Sequence, residues 1–288
     1  MPRRSAVWVA DSLFALRPRL WIPAVALYAA GSGARRGGGS PELLSLLLLL
    51  GAVHVANAVR DRRSDRANEK GWLTAHGVVG EGRLVALAAA SLVAAIALGS
   101  QASPPARALL LLALMFGAAY VAPGLELKRR AGWDLAANAF GYGGIAFLLG
   151  AWGSADRKIG GAEALAGIQA AGPYVLGVAA VTLATMIADR SGDEASGERT
   201  SAVALGEARA RSAAMILAWG SALLGLLARD PVPVLWGVLA GGWLGLQADR
   251  IRDPAGWNRA AIAMQGAFLA ILAIRTSSSW GRAGPGRS

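Results

Sequence analysis

The chain has 288 residues, of which 55% are hydrophobic and 16% are charged, and its formal net charge is +11. An average soluble domain carries about 25% charged residues, so this chain lacks the polar side chains that would cover a soluble surface. The basic residues lie mainly in short loops between apolar runs, which argues against nucleic acid as a partner. The absence of cysteine excludes disulfides and thiol chemistry.

Nine apolar runs along the chain are candidates for membrane-spanning helices. In lipid every backbone amide needs an internal partner, which a helix provides, and about 20 apolar residues cross the bilayer core. The sequence therefore predicts an all-α polytopic membrane protein, a single domain over residues 1–288, with nine helices bundled around an apolar pocket. The predicted spans are 20–34, 41–60, 81–100, 106–122, 134–152, 163–188, 211–228, 231–248 and 259–274.

The distribution of positive charge predicts how the spans are oriented. Twenty of the 29 Lys and Arg residues lie at the N-terminus and in the loops after the second, fourth, sixth and eighth spans. Cytoplasmic loops carry an excess of Lys and Arg, so we expect a multi-pass cell-membrane protein with these loops and the N-terminus in the cytoplasm. Arg35 and Arg36, in the first outer loop, run against this pattern.

The end of the second span carries the first of two acidic motifs. Asn57, Asp61 and Asp65 are four residues apart, so all three project from one face if the helix continues. Carboxylates at this spacing repel each other, and a divalent cation would offset the repulsion. The alternative is a solvated helix end whose carboxylates pair with the neighbouring arginines.

The end of the sixth span carries the second acidic motif. Asp189 and Asp193 are again four residues apart, beside Gly192 and Gly197, which we expect to loosen or end the helix and to let a ligand approach the backbone. A polar loop is the alternative. Both acidic pairs lie on the same predicted side of the membrane, which favours one shared site.

Two pairs of carboxylates on one side of the membrane are suited to Mg²⁺. This hard cation takes oxygen ligands and usually binds through one or two carboxylates plus substrate phosphates. We therefore expect Asp61, Asp65, Asp189 and Asp193 to hold Mg²⁺ against a diphosphate. A diphosphate site at the surface of an apolar bundle fits a lipid-like substrate, and a polyprenyl diphosphate has this chemistry.

The segment around the fifth span supplies further candidates. Lys128 lies in a predicted cytoplasmic loop and can donate to phosphate, although such charges also set topology. Tyr120 lies near the membrane surface as an interfacial anchor or a pocket residue. Asp134, Asn138 and Tyr142 lie at or inside the span, where polar groups are functional candidates, although Asn138 can also bond across helices.

Taken together, these segments resemble the UbiA family of intramembrane prenyltransferases. The first acidic motif is similar to the family's first aspartate-rich motif, and the second motif, continued by Gly197 and Thr200, is similar to its second. The family's central loop is similar to the segment of this chain that contains Tyr120, Pro123, Leu127, Lys128, Gly132 and Trp133. The continuation of this segment to Asn138 is most similar to the chlorophyll synthase and archaeal ether-lipid branches. Residues Arg17–Trp21 resemble the family's N-terminal segment.

The resemblance implies an enzyme that transfers a prenyl group from its diphosphate to a lipophilic acceptor, aromatic or lipid, within the bilayer. Asn57 and the four aspartates would hold Mg²⁺ against the diphosphate, and Lys128 would add positive charge beside the leaving group. Tyr120 and Tyr142 would stabilise an allylic carbocation with their ring faces. The apolar bundle would take the prenyl tail and exclude water.

Two positions depart from the family pattern, because Ala58 and Met186 stand where the family often has aspartate. They leave open a non-catalytic relative that binds isoprenoids. A transporter is a further alternative, since acidic residues in membranes also mark ion pathways, but these carboxylates cluster at one face and transporter sites usually lie at mid-depth. His54 precedes Asn57 by one helical turn and is thus placed to approach the site, whereas His76 receives no role.

Overall fold

The structure is a computed structural model of the chain, and it describes residues 14–33, 40–67, 79–153, 159–247 and 253–277. Every named secondary-structure element within these ranges is helical, which confirms the predicted all-α membrane fold. Within the same ranges, seven helices are long and apolar enough to cross a membrane. The predicted spans 20–34 and 231–248 are shorter helices of 11 and 17 residues, so the count of nine spans stays a prediction.

The helices follow the order of the predicted spans, with two short helices added beside the acidic motifs. Single 3₁₀ turns lie at Pro18–Leu20 and Leu127–Arg129. The helices are α1 Trp21–Gly31, α2 Pro41–Arg60, α3 Arg62–Ala67, α4 Glu81–Gly99, α5 Pro104–Val121, α6 Trp133–Trp152, α7 Gly161–Ala195, α8 Ser201–Leu205, α9 Glu207–Leu227, α10 Pro231–Gln247 and α11 Pro254–Ser277.

Local sequence signals set the ends of several helices. Ser103 precedes α5, its hydroxyl accepts a hydrogen bond from the Ala106 amide (3.4 Å), and proline occupies the first two helical positions. Proline is tolerated there because the first amides of a helix have no helical acceptor. Gly206 turns the chain between α8 and α9 with a φ of 73°, a conformation that favours glycine.

The bundle has two halves, each with its own core. In the first half α2 packs along α4 and α5, and α1 packs along α6. In the second half α7 packs along α9 and α11, and α10 packs along α9. The halves meet mainly where α6 contacts α7. Small residues allow the close approaches, because a Cβ atom at Gly31 or Gly150 would overlap the backbone of the opposite helix.

Two helices differ from what the sequence leads one to expect. α6 contains a π-helical segment, Ala137–Gly144, and such segments often occur at functional sites. α7 continues through Gly192 to Ala195, so the expectation that Gly192 loosens or ends the helix is wrong. Gly192 is buried, and tertiary packing readily overrides the weak helix propensity of one glycine. The chain turns instead at Gly197, with a φ of 75°.

Candidate active site

Three loops meet at one end of the bundle, where a chain of ion pairs links them. Arg60, at the end of α2, pairs with Glu126, in the loop before α6. Glu126 also pairs with Arg129 (3.3 Å), whose Nε lies 3.3 Å from Glu198 Oε1, after α7, although without hydrogen-bond geometry. Isolated surface pairs contribute little, but a network of charges contributes more, so these loops form one connected surface.

This meeting of loops bears on the predicted orientation. All three loops belong to the basic set that the charge distribution assigns to the cytoplasm. The side of the membrane that they face stays a prediction. Outside the described residues lie His76 and, from the charge pattern, Arg3, Arg4, Arg35, Arg36, Lys70, Arg250 and Arg252.

The first acidic motif surrounds a buried lysine. Asp61 separates α2 from α3, yet its amide donates to the Asn57 carbonyl (2.8 Å) and its carbonyl accepts from the Asp65 amide (2.7 Å). The helical repeat is therefore kept across the three residues. Lys128 is only 5% exposed, and its ammonium group donates to the Asn57 side-chain oxygen (2.8 Å) and to the Asp61 carboxylate.

The last residue of the first motif contacts the segment before α1. Asp65 lies 3.5 Å from the guanidinium group of Arg17. Arg17 has a φ of 52°, which is uncommon for a residue other than glycine. The hydroxyl of Tyr142, on α6, donates to the carbonyl of Leu20. These two contacts fix residues 17–20 between the first motif and α6.

The second acidic motif lies within α7, which runs unbroken past Asp189 and Asp193. Asp193 is buried and accepts a hydrogen bond from the hydroxyl of Thr200 (3.2 Å), the residue that precedes α8. α3 packs against α7. The two acidic motifs are therefore neighbours at the same end of the bundle.

A buried carboxylate joins the loop of Lys128 to the segment after the second motif. Asp134, at the start of α6, is fully buried and accepts hydrogen bonds from the amide of Ser201 (2.6 Å) and from its hydroxyl. The same hydroxyl accepts from the amide of Gly132 (2.8 Å). Burial of a carboxylate is costly unless it is hydrogen-bonded, and these bonds make Asp134 a structural link between the two loops.

A cavity of about 930 Å³ lies below the acidic motifs, between the two halves of the bundle. Ligand pockets commonly have volumes of about 300–1,000 Å³, so this cavity is at the large end. Asn57, from the first motif, and Asp189, from the second, both line it. We call its polar opening beside these residues the rim.

The remaining predicted site residues divide between the wall of the cavity and the rim. Tyr120, Asn138 and Tyr142 line the wall, and the side-chain amide of Asn138 donates to the Tyr120 hydroxyl (3.2 Å) and to the Asp134 carbonyl (2.9 Å). Four predicted site residues do not line the cavity but lie beside its lining or in the second motif: Asp61, Asp65, Lys128 and Asp193.

Several residues of the cavity received no site role from the sequence. Arg17 and Arg19 line it, although their position in the sequence indicated only the orientation and the N-terminal resemblance. Asn258 and Gln265 line it from α11, and their polarity at the start of and within the last apolar span was the available signal. His54 lines it as its spacing suggested, and its Nε2 is buried without a hydrogen-bond partner among the described residues.

The oxygen ligands at the rim suit a cation. The side-chain oxygens of Asn57 and Asp61 converge on the ammonium group of Lys128, so positive charge is already stabilised at that point. Carboxylate and amide oxygens are also the ligands of Mg²⁺. Among the described residues, no three acidic or histidine side chains are close enough to hold a metal ion by themselves. Mg²⁺ commonly needs only one or two carboxylates, because waters and substrate phosphates complete its shell.

The fold and the site define a polytopic membrane protein with a lipophilic cavity and a carboxylate-rich rim. The model of the UbiA prenyltransferase family matches residues 20–272. The chain belongs to this family and is an intramembrane prenyltransferase. No curated protein matches the sequence. The similarity to the chlorophyll synthase and archaeal ether-lipid branches stays a prediction.

Solved structures share the fold over nearly the whole chain. A UbiA homolog from Archaeoglobus fulgidus bound to GPP and Mg²⁺ has 19% identity and a TM-score of 0.69, covering 93% of this chain and 100% of that chain. The same homolog bound to DMAPP and Mg²⁺ has 17% identity and a TM-score of 0.67, covering 92% and 99%. A digeranylgeranylglyceryl phosphate synthase has 13% identity and a TM-score of 0.62, covering 92% and 97%.

Proposed function

We propose that the chain transfers a polyprenyl group from its diphosphate to a lipophilic acceptor, aromatic or lipid, with Mg²⁺ as cofactor. The Archaeoglobus fulgidus homolog supports the donor and the cofactor, because it has been solved with GPP and Mg²⁺ and with DMAPP and Mg²⁺. Family membership supports the transfer of a prenyl group.

One observation carries the proposal: residues of both acidic motifs, Asn57 and Asp189, line the same cavity. An anionic diphosphate needs cations and polar donors, whereas a prenyl tail needs apolar walls. A cavity with oxygen ligands at its rim and apolar helices below it serves both parts of such a donor. The rim faces the cytoplasm in our proposal, since the loops around it are basic.

The rim provides the groups for departure of the diphosphate. Asp61, Asp65, Asp189 and Asp193, with Asn57, would hold Mg²⁺, which when bound neutralises charge on the diphosphate. Lys128 is buried among these ligands, so its ammonium group is placed to donate to the leaving oxygen. Stabilising charge that develops in the transition state is usually the largest catalytic contribution.

The cavity wall accounts for the rest of the reaction. The bond between the first prenyl carbon and the diphosphate oxygen breaks, and its electron pair leaves with the diphosphate. A nucleophilic atom of the acceptor then bonds to that carbon and loses its proton to the released diphosphate. The rings of Tyr120 and Tyr142 line the cavity and favour a nearby carbocation, while the apolar lining keeps water from quenching it.

Diphosphate release by the purified chain in detergent tests this function. The chain is incubated with geranylgeranyl diphosphate and a panel of aromatic and lipid acceptors, with Mg²⁺ or with EDTA. We expect release of diphosphate and formation of a prenylated product with Mg²⁺ only. Mg²⁺-dependent binding of the donor without release for any acceptor would favour a non-catalytic isoprenoid-binding protein. The absence of both diphosphate release and donor binding would favour a transporter.

A further inference from the structure

One face of α7 lines the cavity from its rim to its deep end. Asp189 lies at the rim, and Tyr174 lines the cavity fifteen residues earlier in the same helix. At 1.5 Å per residue, these two positions are about 22 Å apart along the helix axis. The lining residues between them recur every three or four positions: Gly177, Val178, Val181, Thr182, Thr185 and Met186.

Aromatic rings gather at the deep end of the cavity. The ring of Tyr174 lies 4.8 Å from the ring of Phe147 and 6.0 Å from the ring of Phe268, measured between centroids. Phe268 and Trp236 also line this end. Tyr174, Phe147 and Trp236 are buried. We call Tyr174, Phe268 and Trp236 the floor.

Tyr174 is anchored from the side away from the rim. Its hydroxyl donates to Asp230 (2.6 Å), which also accepts from the guanidinium group of Arg275 (2.9 Å) and from the amide of Val232 (3.1 Å). Asp230 lies in the turn between α9 and α10. Hydrogen bonds to a charged group are stronger than neutral ones, so the ring is held in place and the floor resists displacement by a longer ligand.

The depth of the cavity corresponds to a length of prenyl chain. A fully extended polypeptide advances about 3.5 Å per residue of three backbone bonds, or about 1.2 Å per bond. An isoprene unit has four bonds along the chain, so it spans about 5 Å. A depth of about 22 Å therefore holds about four isoprene units when the tail is extended.

We infer that the floor around Tyr174 limits the prenyl donor to about four isoprene units, a chain of about 20 carbons. The inference rests on the proposed function, because it assigns the cavity to the tail of the donor. Tyr174 is then a residue that determines specificity and takes no part in the chemistry at the rim.

The affinity of prenyl diphosphates of two, four and five units tests the inference. Binding to the purified full chain in detergent with Mg²⁺, measured by calorimetry, needs no acceptor. For the wild type we expect the five-unit donor to bind about tenfold more weakly than the four-unit donor. Tyr174→Ala removes the ring and should bring the two affinities within about twofold of each other. Tyr174→Phe keeps the ring and should keep the wild-type preference.

A second variant tests the same limit in the opposite direction and covers the case in which Tyr174→Ala fails to fold. Val181 lines the cavity two helical turns nearer the rim. Val181→Phe should weaken the four-unit donor about tenfold relative to the two-unit donor. The inference is overturned if the folded variants keep the wild-type length profile or if the wild type binds all lengths equally. If the wild type binds none of these donors with Mg²⁺, the proposed function falls as well.

Discussion

The first acidic motif lies where α2 gives way to α3 and binds cationic side chains from other parts of the chain, whereas the second motif lies within one unbroken helix, α7. Lys128 bonds to Asp61, and Arg17 pairs with Asp65. In the second motif, α7 continues through both aspartates, and Thr200 donates to Asp193. The two motifs share a spacing of four residues but differ in their surroundings.

This difference teaches that equal spacing does not mean an equal role at the rim. The first motif already stabilises positive charge, because Lys128 is buried against two of its oxygens. A metal ion at Asp61 would therefore compete with an ammonium group of the protein itself. We expect substitution of Lys128 to change metal affinity, and loss of the neutral Thr200 hydroxyl beside Asp193 to have a smaller effect.

The largest effect is expected when one carboxylate is removed from either motif. Asp61→Ala and Asp189→Ala should each lower kcat/KM for Mg²⁺-dependent prenyl transfer by about 100-fold or more, since each removes charge stabilisation from the transition state. Glu194→Ala is the matched control, because Glu194 lies on α7 beside Asp193 but its side chain is 63% exposed. Full activity in either aspartate variant would remove that motif from the site.

Lys128→Met tests the first motif separately from the second. It keeps most of the length of the side chain and removes the charge that Asp61 binds. We expect transfer to fall about tenfold or more, because a charge-assisted donor is lost. Mg²⁺ affinity in the absence of donor should rise, because the competing ammonium group is gone. Calorimetry with Mg²⁺ alone measures this, and the exposed Arg209→Met on α9 is the control. Weaker Mg²⁺ binding would contradict the competition.

Asp134→Asn tests the link between the loops of the two motifs. Asparagine has one acceptor oxygen in place of two, so it cannot accept both of the hydrogen bonds that Ser201 donates to the two carboxylate oxygens. We expect a loss of about 1–3 kcal/mol in the free energy of unfolding, as for a buried donor that loses its acceptor, measured by unfolding in detergent. Asp253→Asn is the control, because Asp253 is exposed and caps α11, a role that asparagine performs equally well. Equal melting of both variants would contradict the role of Asp134.

The smallest effect is expected for Thr200→Val, which removes one hydrogen bond from Asp193. A neutral hydrogen bond contributes about 0.5–1.5 kcal/mol, so donor affinity should fall by less than about tenfold. Ser212→Ala removes an exposed hydroxyl that bonds within its own helix and should change nothing. A loss as large as that of Asp189→Ala would mean that Thr200 itself binds the donor.

Local patterns in the sequence determined the helices and the spacing of the acidic residues. A run of apolar residues must form a helix in lipid because its backbone has no other partners, and the helical repeat then aligns residues four apart. Asn57, Asp61 and Asp65 keep this repeat even though α2 ends at Arg60. The all-α class and the membership of the family follow from these patterns.

Local patterns mispredicted elements where packing opposes propensity. Gly192 lies inside a long helix because its surroundings bury it. The π-helical segment of α6 starts at Ala137, and it includes Asn138 and Tyr142, two residues of the cavity wall. No periodicity in the sequence distinguishes a π-helical turn from an α-helical one, because the difference arises from how neighbouring helices fit together.

Only the tertiary structure decided which polar and charged side chains meet. Lys128 reaches Asp61, Arg17 reaches Asp65, and Tyr174 reaches Asp230 across long stretches of the chain. Such contacts depend on how the helices pack and where the loops lead, and the sequence around each residue carries no record of its partner. The sequence by itself determined the class of the protein and the motifs at its rim, whereas helix packing decided the pairing at the rim and the depth and floor of the cavity.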